Sequence, residues 1–349
     1  MYFMKIFFLL IYFIIFTHKS YAIDLFSTDF YNVDIINKNI SEVKNLEIEK
    51  IKFLSFDHVI NKILNKKDIA LLKRKIDTSE HIENVIKNII IENEFISNNK
   101  YKAKIKINFK EEEIVNLIRK LKLNYTDFYS DEYLLITSQT NSFRHLGLSK
   151  QNIFYSQPNI SNYKFLNLKY PELSVNDRFV LPYNKIANLD IIALTILLDK
   201  YKTNNAFIIN SIKINNLYKL FLYNYNLESK TLNLIEEIKL TNKDNFHIEI
   251  FNILNNWWKS NNYIDNKIIN KYLCTIYTSN MNELNFINSS INSISQIKYN
   301  SVSKIKFGQN INNIIFFGDV YFLKYKLKKF KIKIDTNSMN ECSIRMMNL

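Results

Sequence analysis

Glycine is almost missing from this chain: three residues in 349, at Gly147, Gly308 and Gly318. A phosphate-cradling P-loop and a dinucleotide fingerprint both need clustered glycines, because the backbone itself must approach the phosphates. Both are excluded. Proline is equally scarce, and Pro158, Pro171 and Pro182 all fall between positions 139 and 184. Two cysteines, Cys274 and Cys342, are too few for a disulfide framework. They allow one bridge in an oxidising compartment, but spacing alone does not show that they meet, and two separate thiols remain equally open. Of the five histidines none lies in an H-E-x-x-H pattern, and no G-x-S-x-G occurs. His81 with Glu83 and His247 with Glu249 sit two apart on expected helices, which points their side chains about 200° apart and away from any common ion. Glu236 and Glu237, adjacent on an expected strand, face opposite sides and form no acid/base pair. No catalytic residue, metal site or small-molecule cofactor is assigned.

What the chain has in quantity is isoleucine, asparagine and lysine, the residues of A/T-rich codons, with a formal charge of +14. That bias discounts the charge as a sign of nucleic-acid binding. The hydrophobic share of 47% is enough for real cores. The chain opens "MYFMKIFFLLIYFIIFTHKSYAIDLF". A lysine, an unbroken apolar run from Ile6 to Phe16 and small residues at Ser20 and Ala22 have the pattern of a secretory signal peptide cleaved after Ala22. The run is shorter than the ~20 residues of a spanning helix, and no later segment reaches that length without charge. Removal of residues 1–22 takes two lysines and no acid, leaving 327 residues and a formal charge of +12. A chain of that size suggests two or three domains.

The expected fold class is α+β, in these parts: leader 1–22; N-terminal α/β unit 23–138; irregular excursion 139–184; middle α/β unit 185–265; ferredoxin-like unit 266–336; frayed tail 337–349. Mixed or antiparallel sheets are expected in the first two units. Residues 31–36 read as a strand and 42–64 as a helix. Behind Ser79, Ile82, Val85, Ile86 and Ile89 fall at the spacing of one helical stripe. In "YKAKIKINF", Tyr101, Ala103, Ile105, Ile107 and Phe109 alternate with lysines and Asn108, a half-buried strand. A helix follows with Glu111, Glu112 and Glu113 in its first turn and Arg119, Lys120 and Lys122 in its last, the order that suits the helix dipole. "YLLITS" at 133–138 is a further strand, and the excursion reads as mobile surface chain. An apolar helix at 189–201 precedes a three-strand meander at 206–212, 217–225 and 231–240. A helix over 245–263 carries Trp257 and Trp258. Neighbours on a helix cannot both face inward, so one is assigned to the core and one to a domain junction. The last elements run β-α-β-β-α-β, the ferredoxin-like plan, with Gly318 and Asp319 turning into the second helix.

The signal peptide, the paired helices, "YKAKIKINFKEEEIVNLIRKLKL", "YLLI", "NNAFIINSI" and "INNIIFFGDVYFLKYKL" together resemble the secreted proteobacterial family known as domain of unknown function 2066. The chain departs from that family near Asn210, where glycine is common. The resemblance implies a periplasmic α/β protein without an assigned activity. It also implies a middle region laid out like the α/β domains of envelope lipoproteins that export curli or activate cell-wall synthases.

One charge cluster stands out. Nine lysines and a single acid lie between Lys298 and Lys333, a local charge of +8. Lys304, Lys306, Lys324, Lys328, Lys329 and Lys331 would form a basic rim for anionic lipid or cell-wall polymer. Solvated lysines in a lysine-rich chain explain the same run, and the absence of interleaved aromatics disfavours nucleic acid. The favoured expectation is a non-enzymatic envelope protein that binds or helps assemble other envelope proteins. The alternatives are a polyanion- or membrane-surface-binding secreted protein and a hydrolase with a site in the excursion, near His145, Asp177 and Arg178. If the chain is secreted by a eukaryotic cell, Asn39, Asn124 and Asn159 head glycosylation tripeptides.

Overall fold

The computed structural model describes residues 25–75, 79–156, 166–241, 246–306 and 308–347. The leader, Pro158 and the Asn159 tripeptide lie outside them. Among the described residues there are eleven helices and three sheets, mixed or antiparallel, so the class is α+β. The described residues divide into two compact units, one falling within 25–55 and 86–110, the other within 56–85 and 111–347.

The first unit is a three-stranded antiparallel sheet of β1 (Tyr31–Ile36), β2 (Ile86–Ile96) and β3 (Lys100–Phe109), in the order β1-β3-β2. Tyr101, Ala103, Ile105, Ile107 and Phe109 are all buried and the lysines between them face out. Burial of the apolar side fixes the register, because a one-residue slip would expose every one of these side chains. Helix α1 (Ile40–Ile63) begins in this unit. Ile86 and Ile89 do not continue a helix as their spacing suggests. The chain leaves the helical state after Val85, and residues 86–96 pair antiparallel with β3. Four β-branched residues at 86, 89, 90 and 91 suit a strand, and β3 supplies the partner.

The second unit contains the end of α1, α2 (Lys66–Lys73), α3 (Ser79–Val85), α4 (Glu111–Lys120) and two further sheets. The middle sheet has six strands. β4 (Glu132–Thr140), β5 (His145–Leu146), β6 (Asn167–Lys169), β7 (Asn205–Ile214), β8 (Leu217–Asn226) and β9 (Thr231–Thr241) run in the order β5-β4-β7-β8-β9, with β6 beside the start of β4. β4 therefore belongs to this sheet, parallel to β7, and not to an N-terminal unit spanning residues 23–138. Four helices lie between β5 and β7 in sequence: α5 (Ile153–Ser156), α6 (Val175–Val180), α7 (Tyr183–Ala187) and α8 (Ile191–Tyr201). Asp190 caps α8 by accepting from Ala193 N at 3.0 Å. Ala193, Leu194, Leu197 and Leu198 then pack on Leu134, Ile136, Ala206 and Ile208. The excursion is packed rather than peripheral in its described parts. Leu148, Phe154, Leu166 and Leu181 are buried, and Asn152 donates to Thr137 Oγ1 at 2.9 Å and to the carbonyl of Gly147 at 3.2 Å. Such anchors leave no periodic signal.

Helix α9 (Phe246–Asn261) leads to the third sheet. β10 (Ile269–Tyr277), α10 (Met281–Asn292), β11 (Ile297–Lys306), β12 (Gln309–Phe317), α11 (Val320–Lys329) and β13 (Ile332–Thr336) give the β-α-β-β-α-β order. The tail does not fray. It forms β14 (Glu341–Met346), which enters between β10 and β13, so the sheet has five strands in the order β11-β12-β10-β14-β13. Ile344 of β14 is fully buried beneath the helices with Ile276, Ile314 and Ile334. That burial stabilises what six tail residues in isolation could not. Gly318 joins β12 to α11 at φ +71°, and a Cβ there would come within 3.1 Å of Asp265 N. Left-handed backbone and close approach together call for glycine.

Candidate functional site

Polar side chains converge most densely where the segment after α4 meets the third sheet. Asp127 and Lys326 form an ion pair at 2.5 Å with side chains 4% and 10% exposed. Ser295, just beyond α10, donates to Asp127 and lies 3.2 Å from Lys326 Nζ and 3.3 Å from the Tyr125 hydroxyl. Arg119, in the last turn of α4, reaches the carbonyl of Ser295 and the Tyr125 hydroxyl, and its guanidinium lies over the ring of Phe317 at 4.4 Å. Beside this cluster opens a groove of about 520 Å³ lined by Glu112, Val115, Arg119, Ile294, Lys298 and Phe317 among others.

A serine beside a lysine invites comparison with nucleophilic catalysis, which needs a base with a free lone pair at the hydroxyl. Here the lysine donates to a carboxylate. Burial, with the Asp127 charge beside it, pushes the Tyr125 phenol well above its usual range and keeps it neutral, against the pull of Arg119. Apart from Arg119 Nε, which is buried without a hydrogen-bond partner, the groups pair with one another, and the cluster acts as an internal clamp joining α4, α10 and α11. Sequence reasoning missed it because its members are 199 positions apart at the widest contact.

Asp177 is likewise a structural group. It completes a capping box with Ser174 at the start of α6 and accepts from Lys200 at 2.6 Å and Tyr201 at 2.9 Å. Burial pushes its carboxyl up, and these hydrogen bonds outweigh burial and hold it below the ordinary value. Arg178 points outward, and His145 stacks on Tyr183 with ring centroids 4.8 Å apart. No arrangement brings His145 and Asp177 together. Among the described residues no three metal-binding side chains cluster.

Cys274 and Cys342 do meet. They are register partners on the parallel strands β10 and β14, joined by a disulfide with Cα atoms 4.3 Å apart. The two tryptophans diverge. Trp257 meets Phe207 of the middle sheet edge-on at 5.7 Å, while Trp258 is buried against Phe128, which in turn packs on Phe322 of α11. Next to them Lys259 is 2% exposed and donates to the carbonyls of Asn61 and Leu64 at 2.9 and 2.7 Å, closing the C-terminal end of α1.

The six lysines do not form one rim. Lys304 and Lys306 lie on β11, at one edge of the five-stranded sheet, whereas Lys324, Lys328 and Lys329 are on α11 and Lys331 follows it, beside β13 at the other edge. Four inter-strand steps separate those edges, roughly 19 Å. Lys324 donates to Thr336 at 2.8 Å and Lys329 lies over the Tyr325 ring at 4.7 Å.

A different surface is exposed without any polar function. On α6 and α8, which touch through Asp177, Lys200 and Tyr201, the outward side chains include Val175 and Phe179 at one-helical-turn spacing, and Ile192 and Ile196 likewise. Phe179 is 85% exposed and Ile192 75%. Sequence periodicity could not separate this face from the buried one, since α8 is apolar nearly all round.

No family model matches the chain, and no curated protein matches it. Among solved structures, the C-terminal domain of LpoB from Salmonella enterica aligns with 38% of this chain and 95% of its own, at 8% identity and a TM-score of 0.23. A likeness at that level carries neither fold nor function across. Among the described residues no helix is long and apolar enough to cross a membrane.

Proposed function

We propose that the protein is exported to the periplasm and acts there as a non-enzymatic binding or assembly module for other envelope proteins. The observation that carries this reading is the pair of exposed apolar stripes on the neighbouring helices α6 and α8. Isolated exposed apolar residues are ordinary, but two neighbouring helices each exposing an apolar pair one turn apart, Val175 with Phe179 and Ile192 with Ile196, have the composition of a docking surface. The buried Cys274–Cys342 bridge supports an oxidising compartment, and the leader-like start of the chain supports export by the route such segments serve. The polar clusters are spent on capping and on internal ion pairs, which supports a scaffold rather than a reaction centre. The lysines, divided between opposite edges of a sheet, serve the polyanion alternative less well.

The test is a photo-crosslinking residue placed at Phe179, with exposed Asn233 on β9 as control, in cells that express the whole chain. Release of the protein by osmotic shock and Phe179-specific adducts with envelope proteins are expected. Retention in the cytosol with the leader intact, or adducts with cytosolic proteins alone, overturns the proposal.

A further inference from the structure

The third sheet ends on β11, which among the described residues pairs only with β12. Its outer edge is a ten-residue row of main-chain donors and acceptors with no proline and no acidic residue. Edges are blunted by shortness, proline, bulges or charged side chains, lysine above all. The three lysines and two irregularities of β11 disfavour pairing with a second copy of itself while leaving an acidic strand acceptable. This one is long, and three of its large side chains are exposed: Tyr299 at 56%, Val302 at 50% and Ile305 at 76%.

The register sorts its side chains by face. Asn310, Asn312 and Ile314 of β12 are buried on the side covered by α10 and α11. Opposite them on β11 stand Ile305, Val302 and Asn300, which therefore lie on the helix side. Opposite Gln309, Ile311 and Ile315 stand Lys306, Lys304 and Tyr299, which lie on the open side. The irregularity between Val302 and Lys304 sets this division. A bulge re-aims the residues after it, so that both apolar side chains fall on one face and both lysines on the other.

We infer that the β11 edge is a docking site for an extended segment of a partner protein in which apolar and acidic residues alternate. The added strand would pair with the main chain of β11. Its apolar side chains would cover Val302 and Ile305 beside α10, and its carboxylates would stand next to Lys304 and Lys306, the cross-strand neighbours that stabilise a sheet. Lys298 adds a third cation on the same strand, which itself carries no acid, so an alternating apolar/basic strand is rejected by like-charge contact at Lys304 and Lys306. This surface deepens the reading of the protein as a binding module and rests on it, but it is separate from the face of α6 and α8.

The experiment uses the whole purified chain and fluorescein-labelled nine-residue peptides. One alternates valine and glutamate, one alternates valine and lysine, and one has the composition of the first with its valines and glutamates in blocks. Fluorescence anisotropy should show the valine–glutamate peptide binding at least tenfold more tightly than either of the others, and more weakly as salt is raised. Lys304→Glu with Lys306→Glu should reverse the preference toward the valine–lysine peptide, in a protein whose circular dichroism is unchanged. Methylating alternate backbone nitrogens of the first peptide, on its sheet-facing edge, should abolish binding. Equal binding of the alternating and block peptides overturns the inference, and so does full binding of the N-methylated one, since either shows attraction without strand pairing. Phe179→Ser should leave this binding unchanged, so a failure of the α6–α8 reading and a failure of this one are told apart.

Discussion

Lys259 offers the sharpest test of how this fold is held. Its ammonium is 2% exposed and its hydrogen bonds go to two backbone carbonyls at the end of α1, with no carboxylate among them. Burial depresses its pKa from 10.5 to about 8. In the unfolded chain the group regains the ordinary value, so between about pH 8 and pH 10.5 the unfolded state binds more protons than the folded one. Stability attributable to this residue therefore rises with pH across that window. At pH 7 the charge is carried in both states and its burial costs about 3 kcal/mol, while at pH 10 the cost falls below about 1 kcal/mol, a gain of about 2.5 kcal/mol. Lys259→Met keeps the length of the side chain and removes the titration. Buried tyrosines complicate the alkaline limb in the opposite sense. Burial raises Tyr155 and Tyr170, for example, far above 10, so their ionisation on unfolding lowers stability above pH 10 in both proteins. The quantity to measure is thus the difference between wild type and Lys259→Met, from urea unfolding at pH 7, 8, 9 and 10. Wild type should gain on the variant by about 2 to 3 kcal/mol from pH 7 to pH 10. A difference that stays flat, or that moves the other way, would mean that water or the end of α1 solvates the ammonium well enough to cancel burial, and the reasoning fails.

Two further outcomes follow from the third sheet and its clamp. Lys326→Met should cost about 3–5 kcal/mol in urea unfolding, because it leaves the Asp127 carboxylate buried without its paired ammonium. The double variant Asp127→Leu/Lys326→Met should recover most of that loss, and strict additivity of the two single changes would refute the pairing. Replacing Cys274 and Cys342 by serine removes a crosslink that spans 68 positions. It should lower stability by about 4 kcal/mol in the chain-entropy account, and an unchanged urea midpoint in the absence of reductant would show that the bridge does not form.

Periodicity located most regular elements to within a few residues. The alternation of Tyr101 to Phe109 needs nothing but the physics of a half-buried strand, and the charge order of α4 needs nothing but its own dipole. The errors lie where partners decide. Ile86 and Ile89 fit a helical stripe and a strand equally well, and the edge of β3 chose the strand. Residues 341–346 carry too little apolar surface to announce themselves, and a slot between β10 and β13 made them β14. The packed excursion is held by Asn152, Ser174 and Asp177, polar anchors whose role depends on which backbone groups they meet.

The same division holds for the candidate sites. Composition and local spacing, through the rarity of glycine, the paired tryptophans and the amphipathic strands, determined the α+β class and excluded nucleotide-binding loops, since those properties depend on neighbours within a few positions. Tertiary structure alone decided that Cys274 meets Cys342, that Asp127 meets Lys326, that the lysines part to opposite sheet edges, and that the outer edge of β11 has no partner among the described residues. Each of these depends on strand order and on contacts across most of the chain, and no local pattern of side chains encodes which edge a sheet leaves open.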